Sequence, residues 1–131
     1  VKIIAIVTAD WHFRDTQPRC RIDDYFQAQK NKLDQIKEVQ KFDNCPVFDC
    51  GDLLDKCKSS PFLEGWLMDN LPDHFYTIAG NHDIPYKKID AIDWGSLGVL
   101  IKSKKISLIK LYEDDNLIIE GFNYGELSDD K

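Results

Sequence analysis

The chain has 131 residues, 43% of them hydrophobic and 31% charged, the balance of one soluble globular domain whose core needs neither disulfides nor a structural metal. Lys and Arg total 17 against 23 Asp and Glu, a net charge of −6 that argues against a generic charge-driven nucleic-acid binder but not against an enzyme that gathers cations in a carboxylate cluster. No apolar run reaches the roughly 18 residues of a membrane span, and Cys20, Cys45, Cys50 and Cys57 lack C-x-x-C spacing, so the sequence reads as cytoplasmic with free thiols.

Lys2–Ala9 is a β-branched apolar run with no helical period, as in a strand buried on both faces, and it ends in Asp10-Trp11-His12. A polar loop then holds all three arginines of the chain, Arg14, Arg19 and Arg21. The next predicted element is a helix over Asp23–Phe42: Phe26, Leu33 and Ile36 share one face, Lys and Gln take the others, and Asp24-x-x-Gln27 has the form of a capping box. Asn44 and Pro46 end it. A second apolar run, Pro46–Cys50, feeds Gly51-Asp52-Leu53-Leu54-Asp55.

Ser60-Pro61 opens a second helix, with Phe62, Leu63, Trp66 and Leu67 on its apolar side. Phe75–Ala79 is a third strand, running into Gly80-Asn81-His82-Asp83. Asp93–Ile101 reads as a short helix, and Ile106–Leu111 and Leu117–Gly121 as two strands joined by an acidic turn. His74 and the run Lys102, Lys104, Lys105 read as solvated surface, and Trp11 as packing beneath the polar cluster.

An apolar strand, a polar cluster and a helix thus recur three times. In α/β folds the loops at the carboxyl ends of neighbouring strands converge, and ligand sites are built there. Asp10-x-His12 offers a carboxylate oxygen and an imidazole nitrogen, a pair that suits manganese, iron or zinc better than calcium or magnesium. Asp52, after a glycine, can use its two oxygens to bridge two cations; on its own it could equally cap a turn. Asn81 supplies a neutral oxygen, and the neighbouring His82 an imidazole able to give a proton to a leaving oxygen. The clustered arginines suit phosphate oxygens, or else they merely balance Asp15, Asp23 and Asp24.

In order and spacing these residues resemble the calcineurin-like metallophosphoesterases, whose pattern is D-x-H, then G-D-x-x-D, then G-N-H-D or G-N-H-E. The resemblance implies an α/β fold, the amino-terminal part of an αββα sandwich with a mixed sheet and helices on its outer face. It implies that Asp10, His12 and Asp52 bind one divalent metal and that Asp52 and Asn81 share a second, manganese first among manganese, iron, zinc and magnesium. His82 would be the acid, Asp55 would orient its ring, and a metal-activated hydroxide would attack phosphorus in line. The long polar loop after His12 and the step to Gly51-Asp52 look like the SbcD-type DNA-repair nucleases and their phage relatives. That implies a phosphodiesterase acting on DNA, with Arg14, Arg19 and Arg21 on substrate phosphate.

The family pattern continues with a further His and a G-H-x-H block, and this sequence has no histidine after His82. By that count the first metal keeps three of four protein ligands and the second two of four, and Asp114, Asp115, Glu120 or Glu126 would substitute only by rearrangement. The expectation is a single, incomplete domain over residues 1–131, completed by a missing carboxyl-terminal segment or a second chain. Two other readings stand beside the nuclease: a non-catalytic fragment or binding module that keeps a metal half-site, and a phosphomonoesterase or protein phosphatase.

Overall fold

A computed structural model describes residues 1–126 of the chain. β1 (Ile6–Thr8), α1 (Tyr25–Asp43), β2 (Val47–Asp49), α2 (Pro61–Asn70), β3 (Phe75–Thr77), α3 (Ser96–Lys102) and β4 (Ile106–Leu108) follow one another, then β5 (Leu111–Glu113) and β6 (Ile118–Glu120). β1 to β4 form a parallel sheet in chain order, with Ile6, Val47, Phe75 and Ile106 in one row across it. β5 and β6 pair antiparallel as a separate two-stranded sheet. The α/β class is as expected, a parallel sheet with helices, and the antiparallel pair opens a second sheet.

That division splits the strand expected over Ile106–Leu111. The Ile109 N–H still donates to the Thr77 carbonyl at 2.9 Å, but the Lys110 carbonyl accepts from Gly121 at 3.0 Å, so the chain has changed sheets. The helix expected over Asp93–Ile101 likewise starts later, at Ser96, after a six-residue 3₁₀ segment Ile89–Trp94 and an extended Gly95.

α1 and α2 begin where their capping residues sit. Asp24 Oδ1 accepts from the Gln27 N–H at 3.0 Å, and Ser60 Oγ from the Leu63 N–H at 3.1 Å with Pro61 following. The capping box is half made, because the Gln27 amide donates to Asn31 instead of turning back. Asn44, in the left-handed region at φ 47°, closes α1 through its N–H to the Gln40 carbonyl. Two glutamines assigned to the polar face are buried. Gln29 holds the backbone of Arg14 at both ends, accepting from its N–H at 3.0 Å and donating to its carbonyl at 2.8 Å, and Gln40 donates to the carbonyls of Cys45 and Asp73. A pattern of apolar positions cannot anticipate this, since an amide is buried wherever loop backbone needs a partner.

The core packs Leu33 of α1, Leu63 and Leu67 of α2, and Leu97 and Leu100 of α3 against Val47, Phe75 and Ile106 of the sheet. Phe62, expected on the apolar side of α2, is 63% exposed. On the opposite sheet face Phe48, Tyr76 and Tyr112 form an aromatic trio with centroids 5.0–5.5 Å apart, so the hairpin covers β2 and β3. It does not reach β1, whose Val7 is 65% exposed, against the expectation of a strand buried on both faces. No helix among the described residues is long and apolar enough to cross a membrane, and all four cysteines are free.

Asp49, at the carboxyl end of β2, is buried beside two threonines. Its carboxyl meets Thr8 Oγ1 at 3.1 Å, Thr77 Oγ1 at 2.9 Å and the Gly51 N–H at 3.2 Å, yet burial outweighs these bonds and pushes its pKa up to about 7. The protonated form fits the surroundings: it can donate to Thr77, whose own proton then goes to the Ile78 carbonyl at 2.9 Å. A carboxyl raised in the fold stabilises it below the unfolded pKa and loses that contribution as pH rises through the folded value. Urea denaturation between pH 4 and pH 7 should therefore show the stability of Asp49→Asn rising relative to the parent, by up to about 1.4 kcal/mol per unit, and levelling off above that range.

Candidate active site

Pairing between the first two strands does not stop at their ends. Asp10 N–H donates to the Gly51 carbonyl at 3.2 Å, His12 to Asp52 at 3.0 Å, Phe13 to Leu53 at 2.9 Å, and Asp55 back to Phe13 at 3.1 Å. These bonds carry the two clusters alongside each other. Within them Asp10, His12 and Asp52 take left-handed backbone, at φ 53°, 47° and 53°, a conformation that costs a non-glycine residue about 1–2 kcal/mol. Fully buried Phe13, Leu53 and Leu54 hold it in place from below, with Trp11 stacked on Phe13 at 4.8 Å.

The consequence is convergence. Donor atoms of Asp10, His12 and Asp52 all lie within 4.8 Å of one another, with Asp10 exposed and the other two half-buried. Two carboxylates and an imidazole on a pre-shaped backbone are a donor set that fits a divalent transition metal. It is the single group of three such side chains among the described residues.

The third cluster is fastened to the second by Asp83. Its fully buried carboxylate accepts from the Leu54 N–H and from the Gly80 N–H, each at 2.8 Å. Burial raises its pKa, and the N–H groups it accepts from pull the other way. Gly80 crosses so close to Asp52 that a Cβ there would lie 2.1 Å from Asp52 Oδ1, and Gly51 at φ +97° makes the matching turn. The His82 N–H then reaches Asp52 Oδ1 at 3.1 Å. The end of the Asn81 amide lies 3.2 and 3.3 Å from the two Asp52 oxygens; turned with its nitrogen toward them it donates to both, and turned the other way it sets its oxygen beside them.

His82 is exposed, and its ring meets that of His12 edge-on at 4.8 Å. Its Nδ1 lies 3.1 Å from the Asp55 carbonyl, and a carbonyl only accepts, so Nδ1 carries a proton and Nε2 is left for exchange. Asp55 therefore meets the ring through its main chain. Its carboxylate lies instead 3.7 Å from the Arg14 guanidinium.

The three arginines do not act together. Arg14 sits beside Asp55 and also donates to Thr16 at 3.0 Å. Arg21 is paired with Asp23 through two bonds and lies over the Tyr25 ring, while Arg19 is exposed. Nor do the late acids replace missing ligands among the described residues: Asp114 closes the hairpin turn by accepting from Asn116 and Leu117, and Glu126 accepts from Asn123.

Asp83, Gln29 and Asn123 hold roles that composition and spacing do not announce. Only Asp83 had a signal, its place in the G-N-H-D block; the other two are identified by what they bind. Replacing Asp83 by Ala leaves the Leu54 and Gly80 N–H groups buried without an acceptor. The expected outcome is a loss of about 2–4 kcal/mol in denaturant unfolding, with weaker manganese binding by calorimetry because the third cluster is released from the second.

No curated protein matches the chain. The family pattern of calcineurin-like phosphoesterases matches residues 5–129, a span that takes in all three clusters and nearly the whole sequence. The convergence of those clusters is what metal-dependent hydrolysis of a phosphoester requires, and the chain belongs to the calcineurin-like phosphoesterase family.

Proposed function

We propose that the chain carries the metal-binding half of a phosphodiesterase that acts on DNA, in the manner of the SbcD-type nucleases and their phage relatives. The observation that carries this reading is the meeting of Asp10, His12 and Asp52 within 4.8 Å, with the His82 ring against His12. Asp10, His12 and Asp52 would hold one divalent ion, and Asp52 with Asn81 a second, manganese being the first choice. Bound there, the ions supply Lewis-acid activation of water and of the phosphoryl oxygens.

The protein's own part is placement and proton transfer. His82, fixed through Nδ1 by the Asp55 carbonyl, presents Nε2 to the ester oxygen that leaves. With both ring nitrogens protonated, the Nε2 proton passes to that oxygen as water adds to phosphorus and the ester P–O bond breaks; the alcohol departs neutral, and the proton given up by the water returns the ring to its starting form. Arg14, beside Asp55, shares a cavity of about 160 Å³ with Lys56 and Lys58. Asp15 and Asp55 line the same cavity, so the three cations leave one net positive charge there, which favours a polyanionic substrate such as a nucleic-acid chain. Arg19 is exposed and available to the same strand, whereas Arg21 is engaged by Asp23.

With manganese present, Asp52→Asn should abolish cleavage of linear DNA and weaken metal binding in calorimetry. His82→Ala should lower the rate by about 10²–10⁴-fold while leaving metal binding intact. Unchanged cleavage in both variants would sink the proposal. Faster turnover of a monoester than of a diester would point to a phosphatase, and metal binding without turnover to a binding module.

A further inference from the structure

One wall of the site carries no metal donor. A cavity of about 650 Å³ opens beside Asp52 and Asn81 and is bounded by Phe122 and Tyr124, a volume within the roughly 300–1,000 Å³ typical of small-molecule sites. Both rings are exposed, at 42% and 47%, while Asn123 between them is 3% exposed.

Asn123 is the cause of that alternation. Its Oδ1 accepts from the Ala79 N–H at 2.8 Å, and its own N–H and amide donate to the Glu126 carboxylate at 2.8 and 3.0 Å. The Tyr124 N–H adds a bond to the Ala79 carbonyl at 2.8 Å, so this stretch is fastened to the chain like an added strand. With the middle residue pinned inward, its two neighbours turn outward. Ala79 directly precedes Gly80-Asn81-His82-Asp83, and the aromatic pair is thereby fixed to the same strand end as the residues that handle phosphate.

Two rings held in water at the mouth of a cavity that also holds Asp52 and Asn81 are best accounted for by a ligand that covers them. The floor, with Asp52 and Asn81, suits cations and the phosphate they attract; the wall suits a flat ring. A molecule with both halves a few bonds apart is a nucleotide, and base-on-aromatic stacking tolerates any base because each has a π-face.

We propose that Phe122 and Tyr124 are the base-stacking wall of this site, selecting phosphodiesters that carry a nucleobase next to the scissile phosphate. The inference rests on the phosphodiesterase reading above and adds the residues that recognise the nucleoside. Esters without a planar group lose this contact and bind through phosphate alone.

The test uses the whole chain with manganese and, as probe, 2-aminopurine deoxyribonucleoside 5′-monophosphate, whose fluorescence is quenched by stacking. The parent should quench it. Phe122→Ala and Tyr124→Ala should weaken binding by roughly 5- to 100-fold, with Tyr124→Trp restoring it and circular dichroism confirming that each variant folds. Manganese affinity by calorimetry should not change. In a second arm, KM for a dinucleotide should rise in the alanine variants while KM for the corresponding abasic diester stays constant. No quenching by the parent, or equal quenching by parent and alanine variants, overturns the stacking wall. If the parent binds manganese and cleaves both diesters with equal KM, the wall is lost and the phosphodiesterase reading survives; if Asp52→Asn cleaves like the parent, it is the phosphodiesterase reading that falls.

Discussion

The site depends on one buried carboxylate. Asp83 accepts N–H groups from two different loops, Gly51–Asp55 and Gly80–Asp83, and by doing so brings the ends of β2 and β3 together. A carboxylate taken out of water is costly unless its oxygens are satisfied, and backbone N–H groups buried without acceptors are costly as well. Each offsets the other only when both loops are in place. The geometry that seats Asn81 and His82 beside Asp52 is therefore coupled to the stability of the core beneath it.

The remaining half of the arrangement comes from the sheet. Continued pairing between the segments after β1 and β2 sets Asp10 and His12 opposite Gly51 and Asp52. Three of these positions take left-handed backbone, which an isolated peptide of this sequence would avoid. Burial of Phe13, Leu53 and Leu54 stabilises the same residues from inside, so hydrophobic energy is used to hold donors in a strained but ready geometry. A site built this way needs little reorganisation when a cation arrives, which is the condition for electrostatic help in the reaction.

Charge acquires a local meaning in this setting. The net −6 describes the chain as a whole, but the acids that matter face positions where cations belong, and two divalent ions would offset about four units of it. Arg14, Lys56 and Lys58 share a cavity with Asp15 and Asp55 and leave one net positive charge there, whereas Phe122 and Tyr124 form an apolar edge beside Asp52 and Asn81. A substrate that carries both phosphate and flat rings can use both.

Much of this was legible in the sequence because it rests on local rules. Strand, cluster and helix recur with strong capping residues at Asp24, Asn44 and Ser60, and D-x-H, G-D-x-x-D and G-N-H-D carry their chemistry in adjacent letters. Long-range pairing was not legible. Nothing local says that Gln29 will hold the Arg14 backbone, that Asp55 will meet His82 through its carbonyl, or that Asn123 will pin Ala79 and turn two aromatic rings outward. The sequence by itself determined which residues could hold a metal and move a proton, since that is a property of side-chain type and spacing. Tertiary structure decided which of them meet and through which atoms, because partners 15 to 44 residues apart are chosen by the packing of the whole chain and not by their neighbours.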